Sequence, residues 1–234
     1  MRQTDAKGQA NGYFNRLVPS AFAILSVAFV GCVDQKGTVV IDSPSALNLA
    51  TGEAENATGQ NELANSLRQF TCLDGRKVSP FSDEQTKAVV LVFISTDCPI
   101  ANALIPCLKE MAANYSGKGV KFFFVHSTID TTQSSARTHA EAYGIAIPIV
   151  LDEDQTLAKA VDAKVTPEAF VIVRGQASAA YRGAINNLYV DYGKKRRAAT
   201  EHFLRKALDD VLAGNPPGQP ETKPIGCFIT FTGD

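Results

Sequence analysis

The sequence has no excess of charge of either sign. Its 23 lysine and arginine residues are balanced by 24 aspartate and glutamate residues, which leaves a formal net charge of −1. Proteins that bind nucleic acid through its phosphates usually carry a strongly basic balance. The composition therefore argues against a nucleic-acid partner and directs attention to individual side chains.

The motifs of several common cofactors are also absent. The sequence contains no C-x-x-C-H segment for haem attachment and no glycine-rich loop for nucleotide phosphates. Neither His126 nor His139 stands in metal-ligand spacing with a cysteine. We therefore expect neither a cofactor nor a metal. Five cysteines in 234 residues do not make a disulfide scaffold, so each of them could be functional by itself.

The N-terminal residues 1–32 predict export. Residues 17–30 are apolar but too short for a comfortable membrane span of about 20 residues, and they fit the core of a signal peptide. The run leads into Phe-Val-Gly-Cys at residues 29–32, which resembles the lipobox of bacterial lipoproteins and would make Cys32 the lipidated residue. This interpretation places the protein in the bacterial cell envelope, lipid-anchored to the membrane and outside the reducing cytosol. A simple secretory signal and an uncleaved anchor are the alternatives.

Residues 33–65 contain no aromatic side chain and show no helical or alternating period, so they predict a flexible linker. Between residues 66 and 213, apolar runs alternate with segments of helical periodicity. The predicted strands are 70–73, 76–81, 88–94, 120–127, 147–151, 170–174 and 177–184. The predicted helices are 98–115, 131–143, 155–163 and 200–212, the last with Thr200 as its cap. This order predicts an α/β sandwich around a mixed central sheet.

One cysteine lies where a buried strand meets a helix. The apolar run 88–94 ends in a polar turn, and Cys98 and Pro99 follow. Proline suits the first helical turn because its missing N–H would have no partner there. The dipole and free N–H groups of a helix N-terminus stabilise a thiolate and lower the pKa of a thiol. Cys98 is therefore the predicted nucleophile, and the alternative is a small buried cysteine at a junction of elements.

The element order and several local patterns resemble the thioredoxin superfamily over about residues 66–213. Cys98 stands where that family has its first catalytic cysteine, and Pro106 stands where it has a helix-kinking proline. The segment 165–167, Val-Thr-Pro, resembles the family's cis-proline loop. The resemblance implies a thioredoxin-like three-layer sandwich in which this loop lies against Cys98.

Within that superfamily the chain is most similar to the peroxiredoxin-like branch, the alkyl-hydroperoxide-reductase and thiol-specific-antioxidant group. The turn Thr96–Ile100 and the Gly226–Cys227 tail carry this similarity, which is of the bacterial envelope type. Two positions depart from the patterns of these families. Ala101 stands where thioredoxins have their second cysteine, and Leu91 stands where peroxiredoxins have a proline.

The resemblance also implies which residues surround Cys98. Thr96 and Pro99 come from the turn that carries it, and Pro167 would shape the docking of a partner. Thr166 would offer its backbone groups to an incoming disulfide, in a short strand pairing. These four residues are the expected substrate-docking positions.

A thiolate that attacks peroxide becomes a sulfenic acid, which needs a resolving thiol. Cys107 lies nine residues along the predicted helix, on its opposite side and roughly 13 Å away, so pairing would require the helix to unwind near Pro106. Cys227 lies in the tail 214–234, which begins Gly-Asn-Pro-Pro-Gly and is expected to leave the domain as a mobile arm. Cys227 is favoured as the resolving cysteine, and Cys107 stays a candidate.

These observations predict a thiol-dependent oxidoreductase that reduces peroxides or disulfides through Cys98. An external thiol reductant would regenerate the oxidised pair. Two alternatives stay open. The first is an envelope protein that exchanges disulfides with other proteins. The second is a redox-inert binding module that keeps the fold without turnover.

Overall fold

A computed structural model describes residues 63–233. Its strands are β1 Phe70–Thr71, β2 Lys77–Val78, β3 Ala88–Phe93, β4 Val120–His126, β5 Ile149–Leu151, β6 Val165–Thr166, β7 Glu168–Val173, β8 Ala179–Gly183, β9 Tyr189–Asp191, β10 Lys194–Lys195 and β11 Cys227–Phe228. Its helices are α1 Pro99–Ser116, α2 Gln133–Tyr143, α3 Thr156–Val161 and α4 Phe203–Leu212. The predicted signal segment with Cys32, and most of the predicted linker, lie outside the described residues.

Five strands build a mixed central sheet in the order β5-β4-β3-β7-β8. The middle strand, β3, runs parallel to β4 and antiparallel to β7. All of its residues are buried, and they alternate between two cores: Val90 and Val92 face one, whereas Leu91 and Phe93 face the other. This period of two is what a strand covered on both faces requires.

Helices cover both faces of this sheet. Leu108 of α1 and Leu208 of α4 pack in one core, and Leu157 of α3 packs in the other. The predicted thioredoxin-like three-layer sandwich is therefore confirmed. Leu63 is buried in the second core, so the packed domain begins at least three residues before the predicted boundary at residue 66. In the part of the chain that the structure describes, no helix is both long and apolar enough to cross a membrane.

Helix α1 continues through Pro106 without a break and ends at Ser116, with Gly117 as its C-cap. Its buried residues recur at spacings of three and four, and they include Ile100, Leu104, Leu108, Met111 and Tyr115. Burial of this apolar face offsets the backbone hydrogen bond that Pro106 cannot make. Cys107 therefore stays at the position that a regular helix gives it.

One local prediction is corrected, and one pair of strands was missed. Thr200 does not cap the last helix, because α4 begins at Phe203 and the Thr200 hydroxyl instead accepts a hydrogen bond from Asn187 over 2.9 Å. The hairpin of β9 and β10 was not predicted, since its strands are short and largely exposed.

The C-terminal tail is packed against the domain. We call residues 220–232 the strap. At its start, the Arg182 N–H in β8 donates to the carbonyl of Pro220 over 2.9 Å, and the Thr222 N–H donates back to Arg182 over 3.1 Å. The strap thus covers the outer edge of β8, which is an edge strand of the central sheet.

Further along, β11 pairs antiparallel with β6, and Ile229 is buried in the second core. The strap is therefore held on both sides of Cys227, and the prediction of a mobile arm is wrong. Its backbone completes two exposed strand edges, and the burial of Ile229 adds hydrophobic free energy. Together these gains outweigh the chain entropy that Gly-Asn-Pro-Pro-Gly would otherwise retain.

Candidate active site

Cys98 is the N-cap residue of α1. Its backbone is extended, with φ −83° and ψ 106°, and Pro99 occupies the first turn of the helix. The Ala101 N–H donates to the Cys98 sulfur over 3.5 Å. The sulfur thus takes the position in which a serine or aspartate oxygen usually satisfies a free helical N–H. A negative charge on this sulfur is stabilised by the helix dipole.

The loop before β7 forms the second wall of the site. The Thr166–Pro167 peptide bond is cis, as the resemblance implied. The Cys98 thiol donates a hydrogen bond to the carbonyl oxygen of Thr166 over 2.9 Å. Cys98 and Thr166 are each only 1% exposed, so the reactive sulfur is enclosed.

The strap forms the third wall and brings a second thiol. Cys227 lies opposite Thr166 in the β6–β11 pair, and its sulfur is within hydrogen-bonding reach of the Cys98 sulfur. Neither cysteine is in a disulfide. The structure thus brings Cys98, Thr166, Pro167 and Cys227 together, although they come from three distant parts of the chain.

The two thiols are electrostatically unequal. Burial alone raises the pKa of Cys98, but hydrogen bonds from the Cys227 thiol, the Ala101 N–H and the Thr166 hydroxyl outweigh it and lower that pKa overall. Burial, together with the hydrogen bond and charge of Cys98, raises the pKa of Cys227 to about 11. The pair therefore holds its first negative charge on Cys98.

The other described cysteines lie elsewhere and have no such activation. Cys107 lies nine residues beyond Cys98 on the unbroken helix α1, and Asn186 approaches its sulfur at 3.9 Å. Burial and the charge of Glu110 raise its pKa. Cys72 is buried in the second core, and burial together with the charge of Asp74 raises its pKa. Of the cysteines in residues 63–233, Cys98 alone has a lowered pKa.

Close backbone packing holds the strap against the cis-proline loop. Gly226 lies directly on the Thr166 carbonyl, and a Cβ on Gly226 would overlap this group. The Tyr192 hydroxyl, on the β9–β10 hairpin, donates to the Gly226 carbonyl. The same hydroxyl lies near the Cys227 sulfur and counteracts part of the rise in its pKa.

A buried glutamine holds the end of the strap. The Gln155 side chain donates to the Thr230 carbonyl over 2.7 Å and accepts from the Thr232 N–H over 2.8 Å. It also donates to the Ser127 carbonyl over 2.8 Å. Gln155 is fully buried and has a left-handed backbone with φ 56°. Both polar atoms of the Gln155 amide therefore form hydrogen bonds with the strap and hold its end in place.

Sequence reasoning missed both Tyr192 and Gln155. Tyr192 lies on a hairpin that was not predicted, and an exposed aromatic in a short turn gives no signal by itself. Gln155 opens a short predicted helix, where a glutamine is unremarkable. Only the path of the strap reveals what these side chains bind.

Thr96 belongs to a hydrogen-bond network next to the turn that carries Cys98. Its carbonyl accepts a hydrogen bond from the Asn102 amide over 3.0 Å, and the Asn102 carbonyl oxygen lies 2.8 Å from the His139 Nε2. The His126 ring stacks edge-on against His139 at 5.5 Å, and burial together with His139 lowers the pKa of His126 to about 4. This network fixes the turn that carries Cys98.

An apolar cleft of about 340 Å³ borders the site. Ile100 from α1, Pro167 from the loop and Ile225 from the strap contribute to its wall, together with Phe203 of α4. Within residues 63–233 no group of three or more histidine, cysteine or acidic side chains could hold a metal ion.

Two solved structures share this fold at similar size. One is a hypothetical protein from Sinorhizobium meliloti 1021, with 26% identity and a TM-score of 0.62, covering 71% of this chain and 91% of that chain. The other is an uncharacterized conserved protein from Geobacillus kaustophilus, with 28% identity and a TM-score of 0.56, covering 71% and 90%. A comparison with curated proteins finds no match.

The family model described as Redoxin matches residues 53–181. That range contains the β3 strand, the Cys98 turn, helix α1 and the cis-proline loop, but it ends before the strap. The thioredoxin-like fold of this chain, and the buried Cys98 thiol with its lowered pKa, agree with a thiol-based redox function. The chain therefore belongs to the Redoxin family.

Proposed function

We propose that this protein is a thiol-dependent peroxidase in which Cys98 attacks the peroxide and Cys227 resolves the product. The observation that carries the proposal is the adjacency of two thiols whose pKa values are shifted in opposite directions. A peroxidatic cysteine needs a thiolate, and its partner needs to stay near without competing for the charge.

The cycle has three steps. The Cys98 thiolate attacks a peroxide oxygen, an S–O bond forms, the O–O bond breaks, and the alcohol or water leaves with a proton. Cys227 then attacks the Cys98 sulfenic acid, an S–S bond forms, and water leaves. An external dithiol finally reduces the Cys98–Cys227 disulfide and is itself oxidised to a disulfide.

The site geometry supports the second step most directly. Cys227 is already within reach of Cys98, so the disulfide can form without unwinding α1. Because Cys98 is 1% exposed, the first step requires either a small oxidant or movement of the strap.

The test is peroxide consumption by the full-length protein with excess dithiothreitol. Cys98→Ser should reduce the rate to that of buffer, whereas Cys72→Ser, a buried cysteine outside the site, should leave it unchanged. Full activity in Cys98→Ser would refute the proposal. If the wild type is inactive and its Cys98 reacts with neither peroxides nor disulfides, the redox-inert binding module would be favoured.

Disulfide exchange with envelope proteins is the second candidate. The observation that favours it is the β6 edge beside Cys98, which pairs with an extended cysteine-containing segment, here the strap. This function would give mixed disulfides at Cys98 with protein partners and no peroxide turnover.

We also propose that the protein is exported and lipid-anchored in the bacterial envelope through Cys32. The apolar run 17–30 and the Phe-Val-Gly-Cys sequence support this location. Expressed in a bacterium, the full-length chain should fractionate with membranes, and Cys32→Ser should release it. Retention of the Cys32→Ser variant in the membrane fraction would favour an uncleaved anchor.

A further inference from the structure

Three exposed apolar side chains lie together beside the strap. Phe228 is 78% exposed, Tyr192 54% and Val190 45%. Tyr192 and Phe228 line a groove of about 490 Å³, Val190 lines the apolar cleft that borders the active site, and Ile225 of the strap contributes to both. Contact of such side chains with water is unfavourable, so a contiguous group of them indicates a surface that binds an apolar partner.

The alternation of a β-strand explains why Phe228 is exposed. Successive side chains of a strand point to opposite sides, and Cys227 points to Cys98. Phe228 therefore points away from the domain. The Tyr192 hydroxyl reaches the strap by donating to the Gly226 carbonyl, while more than half of the residue stays exposed. The exposed side chains thus lie on the outer side of the strap, and the active site lies on its inner side.

Positively charged side chains surround this apolar group. The β9–β10 hairpin ends in the exposed residues Lys194 and Lys195, and the exposed Arg196 and Arg197 follow. Lys223 of the strap is also exposed, and it lines both the groove and the cleft. These cations come from the same two segments as the apolar side chains, namely the hairpin with the residues after it and the strap.

The acidic side chains of the same surface already have partners. Asp191 lies 3.6 Å from Lys194, and Glu221 lies 3.4 Å from Arg182. Glu168, the third acid that lines the groove, is buried and accepts two backbone N–H groups. Within residues 63–233, four cations of this surface form no salt bridge, namely Lys195, Arg196, Arg197 and Lys223. The surface therefore has an excess of positive charge.

We infer that this surface docks on a lipid bilayer with anionic headgroups. We call it the outer patch, and it consists of Val190, Tyr192, Lys195–Arg197, Lys223 and Phe228. Proteins attach to a membrane surface through this combination, in which apolar and aromatic side chains enter the headgroup region and neighbouring lysines and arginines bind its phosphates. The docked domain holds the strap, and the active site beneath it, against the bilayer.

The proposed lipid anchor favours a bilayer over an acidic protein as the partner. A lipid on Cys32 would hold the domain near a membrane, because residues 33–62 extend over roughly 100 Å at most. Attachment at one point makes a second, weak contact effective. The inference uses the proposed anchor for this choice of partner, and it does not depend on the proposed peroxidase activity.

A tryptophan reporter tests the docking, because the chain itself contains no tryptophan. Phe228→Trp places the reporter in the outer patch. Tyr143→Trp is the control, since Tyr143 is also exposed but ends α2 and lines neither the groove nor the cleft. The reduced full-length protein is added to vesicles of phosphatidylcholine, alone or with about 30% phosphatidylglycerol. The emission wavelength and its quenching by brominated acyl chains are recorded.

On the anionic vesicles, the emission of the Phe228→Trp protein should shift to shorter wavelength and be quenched by the brominated chains. Val190→Trp should respond in the same way, whereas Tyr143→Trp should not. With phosphatidylcholine alone, or in high salt, the response should largely disappear because the charge attraction is absent or screened. Each reporter senses only its own surroundings, so vesicle binding through residues 17–30 alone would not produce these shifts.

Neutral substitutions test the cations. In the Phe228→Trp background, Lys195→Gln combined with Arg197→Gln should lower the ratio of docked to free domain about tenfold. The matched control, Lys77→Gln combined with Lys118→Gln, removes the same charge from exposed positions and should dock like the parent. Lys118 follows α1, whose 18 residues place it roughly 27 Å from the end that carries the active site.

A Phe228→Trp protein whose emission stays unchanged on every vesicle would overturn the inference and leave an acidic protein as the partner of the outer patch. An equal response of Tyr143→Trp, or an equal loss in the two double variants, would also overturn it, because binding would then involve no particular surface. Circular dichroism checks the fold of each variant. Peroxide consumption and the fractionation of Cys32→Ser are separate measurements, so the proposed function and the proposed anchor can each fail without deciding the docking.

Discussion

Cys107 and Cys227 are the two described cysteines that sequence reasoning offered as partners for Cys98. Cys107 is close in sequence and lies on the same helix, yet α1 carries it away from the site. Cys227 is remote in sequence, yet the strap places its sulfur beside Cys98. A rigid helix thus separates neighbours in the chain, whereas a pairing of strand edges joins distant residues.

The largest expected effect separates these two cysteines. Cys227→Ser should abolish the intramolecular disulfide, so that excess peroxide drives Cys98 onward to the sulfinic acid. Cys107→Ser should behave as wild type, with Cys98 protected as a disulfide. Mass spectrometry of the Cys98 peptide measures both results. Over-oxidation in Cys107→Ser alone would reverse the assignment.

The next effect concerns pH. The lowered pKa of Cys98 means that its thiolate persists below the ordinary thiol value of about 8.5, so alkylation should stay fast as the pH falls towards neutrality. Cys227→Ala removes the largest of the hydrogen bonds that lower this pKa, because alanine has no side-chain donor, and should shift the midpoint upward. The shift is read from the rate of iodoacetamide labelling at Cys98. Cys107→Ser is the control, and an equal shift there would show that the effect is not local.

A smaller effect distinguishes the helix from the strap after oxidation. If Cys227 is the partner, the amides of α1 should keep their protection from hydrogen exchange when the protein is oxidised. Only amides of the strap and of the cis-proline loop should change. Loss of protection between Cys98 and Cys107 would indicate that the helix unwinds and that Cys107 is involved.

The smallest expected effect is that of Tyr192→Phe. The hydroxyl donates to the Gly226 carbonyl, next to Cys227, so its loss should slow disulfide formation by a few-fold without changing the first reaction of Cys98. Stopped-flow traces of sulfenate formation and resolution separate these steps. Tyr143→Phe, another exposed tyrosine, serves as the control. An equal slowing of both steps would show that Tyr192 acts through general stability.

Much of the fold could be predicted because local patterns and tertiary packing agree. The continuous apolar run of β3 indicates a central strand, and the spacing of Leu104, Leu108 and Met111 indicates one buried helix face. Where they disagree, tertiary packing decides. Pro106 predicts a weakness in α1, but burial on both sides of it keeps the helix continuous.

The site could be predicted only in part, for a related reason. Cys98 and Pro99 show their position by following a strand and opening a helix. The segment Gly-Asn-Pro-Pro-Gly predicts that the tail leaves the domain as a flexible chain. No local sequence pattern indicates that the residues after it pair with β8 and β6. The roles of Tyr192 and Gln155 depend entirely on that return.

The most direct test of the central claim is a map of the disulfides formed in one turnover. The reduced full-length protein receives one equivalent of hydrogen peroxide, is quenched within seconds, alkylated and digested for mass spectrometry. We expect a Cys98–Cys227 linked peptide, with Cys72 and Cys107 alkylated. A Cys98–Cys107 link, or a Cys98 that remains fully alkylated while other thiols are oxidised, would contradict the claim.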